Sequence, residues 1–273
     1  MQATIKTLLG GRIPAPLREI PEPPAELRVR GTVPAESPVA VVGTRKPTTY
    51  GRRTVAVIAA RLAAAGVPVV SGLAFGIDTE AHRAALDAGG RTVAILPGGL
   101  DGHSISPRTN LRLAERIIQS GGALVSEYPE GTTAHKHHYV ARNRLISGWA
   151  RAVVVVEAAY PSGSLITANH AAVQGRDVWA VPGPIDSEAS AGTNKLIADG
   201  AHPLVNVDQF LDALGVAKRR IEHPLLDFLS QSRHLEEIAA ALGREAPELE
   251  VELTTLELRG VVKHLGGRYY ARP

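Results

Sequence analysis

The chain has 273 residues, 44% of them hydrophobic and 21% charged, with a formal net charge of +3 and no cysteine. Those values suit a folded globular protein and leave room for one large domain and a small one. They exclude disulfides, thiolate nucleophiles and cysteine-ligated metals. With no run of 18 apolar residues and no secretory signal at its start, the sequence predicts a cytoplasmic protein with no membrane partner.

Charge is spread evenly. Residues 1–38 hold five Lys/Arg against four acids, residues 39–217 sixteen against fourteen, and residues 218–273 nine against nine. A polyanion site must therefore be a local cluster, not a field of the whole molecule.

Residues 1–38 carry Pro14, Pro16, Pro21, Pro23, Pro24, Pro34 and Pro38. They read as an extended lead-in segment with at most one short helix near Thr4 to Leu9. From Val39 the pattern changes. Apolar strand-like runs fall at 39–42, 67–71, 92–96, 123–126, 152–156 and 178–181, with a weaker one near 203–205. Helical patterns lie between them, at about 50–65, 77–88, 108–120, 139–149, 164–175 and 207–214. Such alternation predicts βαβ units and a doubly wound, mostly parallel α/β sheet over residues 39–217. Lys218-Arg-Arg220 reads as a linker. Three helical patterns at 224–231, 234–242 and 247–259 follow, then a hairpin turning at Gly266-Gly267. That order predicts a small winged-helix domain over residues 218–273.

In a doubly wound sheet, ligands collect where strands end and helices begin. Four loops of this kind are rich in small and hydroxyl residues. They are Gly43-Thr44-Arg45-Lys46, Ser71-Gly72-Leu-Ala74-Phe-Gly76-Ile-Asp78, Pro97-Gly-Gly-Leu-Asp101 and Ser162-Gly163-Ser164-Leu-Ile-Thr167. Their N–H groups and hydroxyls can line an anion pocket, with Arg45 beside it. One such loop alone is a tight turn; four on one sheet edge make a site. No GxGxxG follows the first strand and no GxxxxGK[ST] occurs, so a dinucleotide fingerprint and a P-loop are unsupported.

His135-Lys136-His-His138-Tyr139-Val-Ala-Arg142-Asn143-Arg144 is the densest basic stretch. Arg142 and Arg144 lie two apart at a helix start and do not share a face, so one can reach a ligand while the other pairs with an acid. Tyr139 offers a ring on which a base can stack. The three histidines have no carboxylate or cysteine at ligand spacing, so no metal is read here. Arg52 and Arg53 stand in the first turn of a helix, where the dipole disfavours cations and a ligand phosphate would offset them. Asp78 is expected to cap the following helix, and Asp101, Glu127 and Glu157 to make structural hydrogen bonds at strand ends.

These motifs carry a resemblance. Val41-Val-Gly-Thr-Arg45, Ser71-Gly-Leu-Ala-Phe-Gly-Ile-Asp78 with Ala81-His82, Arg142-Asn-Arg-Leu-Ile146, Ser162-Gly-Ser-Leu-Ile-Thr-Ala168 and Gly192-Thr-Asn194-Lys195 resemble the ordered motifs of the bacterial DNA-processing protein A family (DprA, also Smf). The resemblance covers about residues 14–215, and residues 218–273 are similar to the winged-helix tail of many members. It implies an extended Rossmann-like domain that binds single-stranded DNA, without catalysis and without a cofactor. It also implies protection of incoming DNA and loading of RecA onto it during natural transformation and recombination, usually as a homodimer. It places the DNA pocket at Arg45 and Lys136, with Tyr139 as the stacking aromatic where Phe is usual. Asn194 and Lys195 join the site by the same resemblance. Two departures stand out. Tyr160-Pro161 occupy the place of a basic residue before Ser-Gly-Ser-Leu, and the helical amino-terminal domain of many members is missing or reduced.

Two other readings compete. A nucleotide phosphoribohydrolase of related fold needs a PGGxGTxxE loop, but Pro97-Gly-Gly-Leu-Asp-Gly-His-Ser-Ile105 lacks its Thr and Glu. A pure protein-interaction scaffold would bind no oligonucleotide. For the small domain, the expected third helix from Pro247 to Arg259 carries Glu248, Glu250, Glu252 and Glu257. Four carboxylates on a recognition helix are repelled by phosphates, which predicts a protein contact in place of groove reading.

Overall fold

The proline-rich opening of the chain is the edge of a sheet. In a computed structural model, which describes residues 4–216, 223–258 and 261–272, strand β1 (Ile5–Leu9) pairs antiparallel with β2 (Glu26–Gly31). Strand β2 in turn pairs antiparallel with β6 (Ala123–Ser126). The short helix expected near Thr4 to Leu9 is thus a strand. Its prolines do not interfere, because most of them fall in the connection that holds helix α1 (Ala15–Arg18). Pairing and the burial of Leu27 and Val29 on β2 override local preference here.

The centre of the domain follows the expected alternation. Strands β3 (Val39–Val42), β4 (Val69–Ser71) and β5 (Thr92–Ile95) lie side by side in parallel, and β6 extends the row. The chain then crosses to the other flank of β3 and lays down β7 (Ala152–Val155), β8 (Asp177–Ala180) and β9 (His202–Pro203), again parallel. The full order is β1-β2-β6-β5-β4-β3-β7-β8-β9. Strand order reverses between β3 and β7, so the crevice above their carboxyl ends is the topological switch point.

Alternation along each strand builds two layers. Ala40, Val42, Val153 and Val155 face Leu145, Ile146 and Trp149 of α5 (Lys136–Trp149) and Ala168 and Ala171 of α6 (Gly163–Val173). Val39, Val41, Ala152 and Val154 face the opposite cluster. That cluster is built by Val55, Ile58 and Leu62 of α2 (Thr49–Ala64), Ile77 and Ala81 of α3 (Ile77–Asp87), and Phe210 of α8 (Val207–Ala213). Helix α4 (Leu111–Gln119) covers a smaller cluster with Leu73, Leu96 and Leu100, and α7 (Glu188–Ala198) packs beside β8.

Residues 1–217 and 218–273 form two compact units. The second has its own core, with Leu225, Leu235, Ile238, Leu249 and Leu253 fully buried or nearly so. It contains α9 (Pro224–Phe228), β10 (Arg233–His234), α10 (Leu235–Leu242), α11 (Ala246–Leu258), β11 (Lys263–Gly266) and β12 (Tyr269–Ala271). Three helices and a three-stranded sheet in the order β10-β12-β11 are the winged-helix arrangement. The expected linker Lys218–Arg220 and the helix-terminal Arg259 lie outside the described residues.

Candidate functional site

The loop after β3 runs straight into the switch point. Arg45 and Lys46 are exposed, and Thr44 is half-buried, with Oγ1 accepting from the Lys46 N–H at 3.2 Å. The loop backbone is fixed from both sides: Thr44 N–H donates to Glu157 O at 2.7 Å, and Ile77 N–H donates to Thr44 O at 3.1 Å. At Gly76, φ is +78° and a Cβ would overlap the Thr44 carbonyl and the Arg45 backbone. Only glycine lets the two loops approach this closely.

Beneath these loops lies a buried polar network. Asp78 does not cap its own helix, contrary to the sequence reading. Its Oδ2 accepts from Gly72 N–H at 3.0 Å and Ala74 N–H at 3.4 Å, tying down the loop after β4. Arg142 is 4% exposed, donates to the Ile95 carbonyl and packs so tightly on Gly72 that a Cβ there would overlap its guanidinium. Burial pushes the Asp78 carboxyl up and the Arg142 guanidinium down to about 10. Each is partly restored by the charge of the other, and Arg142 stays protonated at neutral pH.

Helix α5 begins at Lys136, which is exposed, and carries the half-buried Tyr139 one turn along. The Arg45 guanidinium sits 5.2 Å from the centroid of the Tyr139 ring, and the Tyr139 hydroxyl meets Ser106 Oγ at 2.9 Å. A cation over an aromatic face is worth about 0.5–1 kcal/mol at an exposed position. His138 stacks on Tyr128 at 4.1 Å, and among the described residues no group of three or more His, Asp or Glu could hold a metal ion.

The structure divides the predicted site residues. Arg45, Lys46, Lys136 and Gly163 are exposed, and Gly43, Thr44, Ala74, Gly76, Tyr139 and Asn143 are half-buried along one edge. Asn143 Nδ2 donates to Gly163 O at 3.4 Å, which links α5 to the loop after β7. Ser71, Gly72, Arg142 and Thr167 are buried and cannot touch a ligand directly. Ser71 Oγ donates to Val41 O at 2.7 Å, and the nearly buried Ser164 bonds Ser162 Oγ at 2.9 Å. Of the two arginines weighed for a ligand, neither is free, since Arg144 donates twice to Glu127 at 2.7 Å. Asn194 bonds Gly183 through both ends of its amide, and Lys195 pairs with Asp199. Arg45, Lys46, Lys136 and Arg53 have no acid partner among the described residues.

Glu157 makes the structural hydrogen bonds expected of it at a strand end. It is 2% exposed and accepts from Thr48 N–H at 2.9 Å and Thr48 Oγ1 at 2.5 Å. A carboxylate at the amino end of α2 offsets the dipole that disfavours Arg52 and Arg53, and Arg52 also pairs with Glu80 at 3.2 Å. Next to it is a cleft of about 510 Å³ lined by Thr48, Tyr50, Glu157, Pro182 and Ser190 among others. The signal in sequence was a lone acid directly after an apolar strand.

His82 is fully buried, with Nδ1 2.6 Å from Thr92 Oγ1 and no partner for Nε2 among the described residues. Burial, aided by the Arg142 charge, pushes its pKa down to about 3. In the unfolded chain it would titrate near 6.5, so the unfolded state takes up the proton first. The stability this residue supports is complete above pH 6.5 and lost as pH falls toward 3. The midpoint of thermal unfolding is expected to drop between pH 7 and pH 5 more steeply in the native chain than in His82→Gln. Parallel curves would remove His82 from the acid response.

In the second unit, three of the described arginines are engaged internally, and Arg233 is exposed without an acid partner among the described residues. Arg268 pairs with Glu236 and Glu250, Arg272 with Asp227, and Arg244 with Glu252. A phosphate backbone would have to compete with those acids.

A doubly wound sheet with its functional loops at the switch point, joined to three helices and a hairpin, defines an extended Rossmann-like protein with a winged helix. Its sequence matches the family pattern described as DNA recombination-mediator protein A over residues 5–215, and the DprA winged helix domain over residues 213–268. The chain belongs to the DNA recombination-mediator protein A family.

It is 37% identical over 251 residues to Protein Smf of Escherichia coli (strain K12), a match covering 85% of this chain and 67% of that protein. In the relatives from Mycobacterium tuberculosis and Synechocystis the match spans 63% and 53% of their length. Among solved structures, DNA processing protein A from Streptococcus pneumoniae aligns with a TM-score of 0.69 at 37% identity, covering 77% of this chain and 74% of that one. The Helicobacter pylori protein, described for its single-stranded DNA binding mode, aligns with a TM-score of 0.69 at 29% identity, covering 78% and 98%.

Proposed function

We propose that the protein binds single-stranded DNA at the switch point, protects incoming strands and loads RecA onto them in the cytoplasm, acting as a homodimer and without catalysis. One observation carries the DNA reading: the Arg45 guanidinium rests on the Tyr139 ring, with Lys136 one turn away and no acid partner beside either cation among the described residues. A base that takes the guanidinium's place on the ring frees that cation for the adjoining phosphate. Loop N–H groups and Thr44 complete a surface that holds a backbone and reads no sequence. The likeness to the Helicobacter pylori protein supports the same ligand, while RecA loading and the homodimer rest on the family resemblance.

Arg45→Ala and Lys136→Ala are each expected to weaken oligonucleotide binding and to flatten the log–log salt dependence by about 0.7, with thermal stability unchanged. Tyr139→Ala should cost roughly 1–3 kcal/mol of binding. Tyr139→Phe gives up only the hydroxyl bond to Ser106 and should cost within about 1 kcal/mol. Fluorescence anisotropy on a labelled single strand measures all four. Native affinity and slope in both cation variants would take the pocket out of the account.

A further inference from the structure

Aromatic residues are only 4% of this chain. Among the described residues of the first unit, the aromatic side chains more than a third exposed are Tyr50, Phe75 and Tyr160, at 39%, 49% and 64%. All three follow parallel strands. Tyr50 opens the helix after β3, Phe75 lies in the loop after β4 and Tyr160 in the loop after β7. Strands β4, β3 and β7 are consecutive neighbours in the sheet. The exposed rings of the unit are therefore gathered on one edge, the edge that also holds Arg45, Lys46 and Lys136. Scattered exposed apolar residues are unremarkable on a surface; a row confined to the ligand edge is not.

The backbone around Phe75 is held by hydrogen bonds on both sides of the residue. Leu73 is held at φ +56° and its carbonyl accepts from Asn110 Nδ2 at 2.9 Å. The Ala74 carbonyl accepts from Thr79 Oγ1 at 2.6 Å, and Asp78 grips the Gly72 and Ala74 N–H groups. Gly76 abuts the Arg45 backbone. The backbone on each side of Phe75 is thus fixed and its ring stands in water, one residue from the loop that carries Arg45. Tyr160 occupies the corresponding place on the other flank, near Lys195. Tyr50 differs, since its hydroxyl donates to Pro182 O at 3.0 Å and its ring walls the cleft.

We propose that Phe75 and Tyr160 are two further base-stacking platforms, one on each side of Arg45, so that a single strand crosses the sheet edge from the end of β4 to the end of β7. This rests on the single-strand reading above and adds the path of the strand. Neighbouring strands lie roughly 4.8 Å apart, so the two platforms bracket Arg45 across about 10 Å of sheet edge. The exposed cations around the row favour a polyanion over an apolar peptide as its occupant.

The test uses the full chain and labelled oligothymidylates of increasing length, followed by anisotropy. Phe75→Ala and Tyr160→Ala are each expected to weaken binding of the longer strands roughly 5- to 140-fold, the equivalent of 1–3 kcal/mol at 1.4 kcal/mol per tenfold. Phe75→Trp and Tyr160→Phe should keep native affinity. The losses should vanish on strands too short to reach past Arg45, and on a strand of abasic sites, while Arg45→Ala stays impaired on all of them. Both rings are exposed, so unfolding midpoints should not move. Native affinity in both alanine variants, with Arg45→Ala still impaired, overturns the platforms alone. Equal losses on abasic strands overturn them too. A native chain that binds no single strand overturns this proposal together with the reading beneath it.

Discussion

Arg142→Ala is expected to lower the free energy of unfolding by about 1–3 kcal/mol, because it leaves the buried Ile95 carbonyl without its donor and removes the positive charge that favours the ionised Asp78 carboxyl. The guanidinium is buried, donates to the Ile95 carbonyl and fills the space against Gly72. Its loss also opens a cavity beneath the loop after β4. Urea titration gives the number, and a double-mutant cycle with Asp78→Asn separates the charge from the cavity. If the charge of Arg142 acting on Asp78 is the larger cause, the double variant should be more stable than Arg142→Ala alone. A loss below about 1 kcal/mol in the single variant would mean that Arg142 is not what holds the loop. DNA affinity should fall as well, although Arg142 cannot reach a ligand, since it fixes the helix that carries Lys136 and Tyr139.

Gly76→Ala is the second large effect expected. The backbone there sits at φ +78°, which costs a non-glycine residue roughly 1–3 kcal/mol. A Cβ would also overlap the Thr44 carbonyl, so either the loop after β3 or the loop after β4 must shift. Because the Thr44–Arg45 backbone is what moves, single-strand affinity should drop at least about tenfold, or 1.4 kcal/mol. Gly66→Ala is the matched control. Its φ is +76° with nothing within 4 Å of the added Cβ, so it carries the backbone strain without the collision and lies away from the site. Equal losses of affinity in the two variants would show that close approach at Gly76 is immaterial.

Much of the fold was legible because its strands are short, β-branched runs separated by helical periods. Val39–Val42 and Ala152–Val155 could scarcely be anything else. What escaped was β1 and β2. Their apolar content is modest, their neighbourhood is crowded with proline, and β2 joins the sheet through β6, nearly a hundred residues away. No local pattern encodes a partner at that distance. In the candidate site, the four glycine- and hydroxyl-rich loops lie on one edge of the sheet, where Arg45 meets Tyr139 and Lys136 opens the helix that carries it. Burial was the hidden variable. Arg142 and Arg144 look alike in sequence, yet one lies under the sheet edge beside Asp78 and the other is clamped by Glu127. Periodicity said only that they point apart. The exposure of Phe75 is a property of the folded loop that its sequence does not carry.

The Glu157–Thr48 contacts join the end of β7 to the start of α2, on opposite sides of the line where strand order reverses. Together with the Thr44–Glu157 backbone bond, they lock the two halves of the sheet across the crevice. These contacts resist any opening or closing of the crevice at the switch point. The consequence is kinetic. Association should proceed in one concentration-dependent phase, accelerated at low salt by steering, with no slow unimolecular step behind it. The ordering cost then falls on the flexible strand, and differences among variants should be found in how fast that strand leaves.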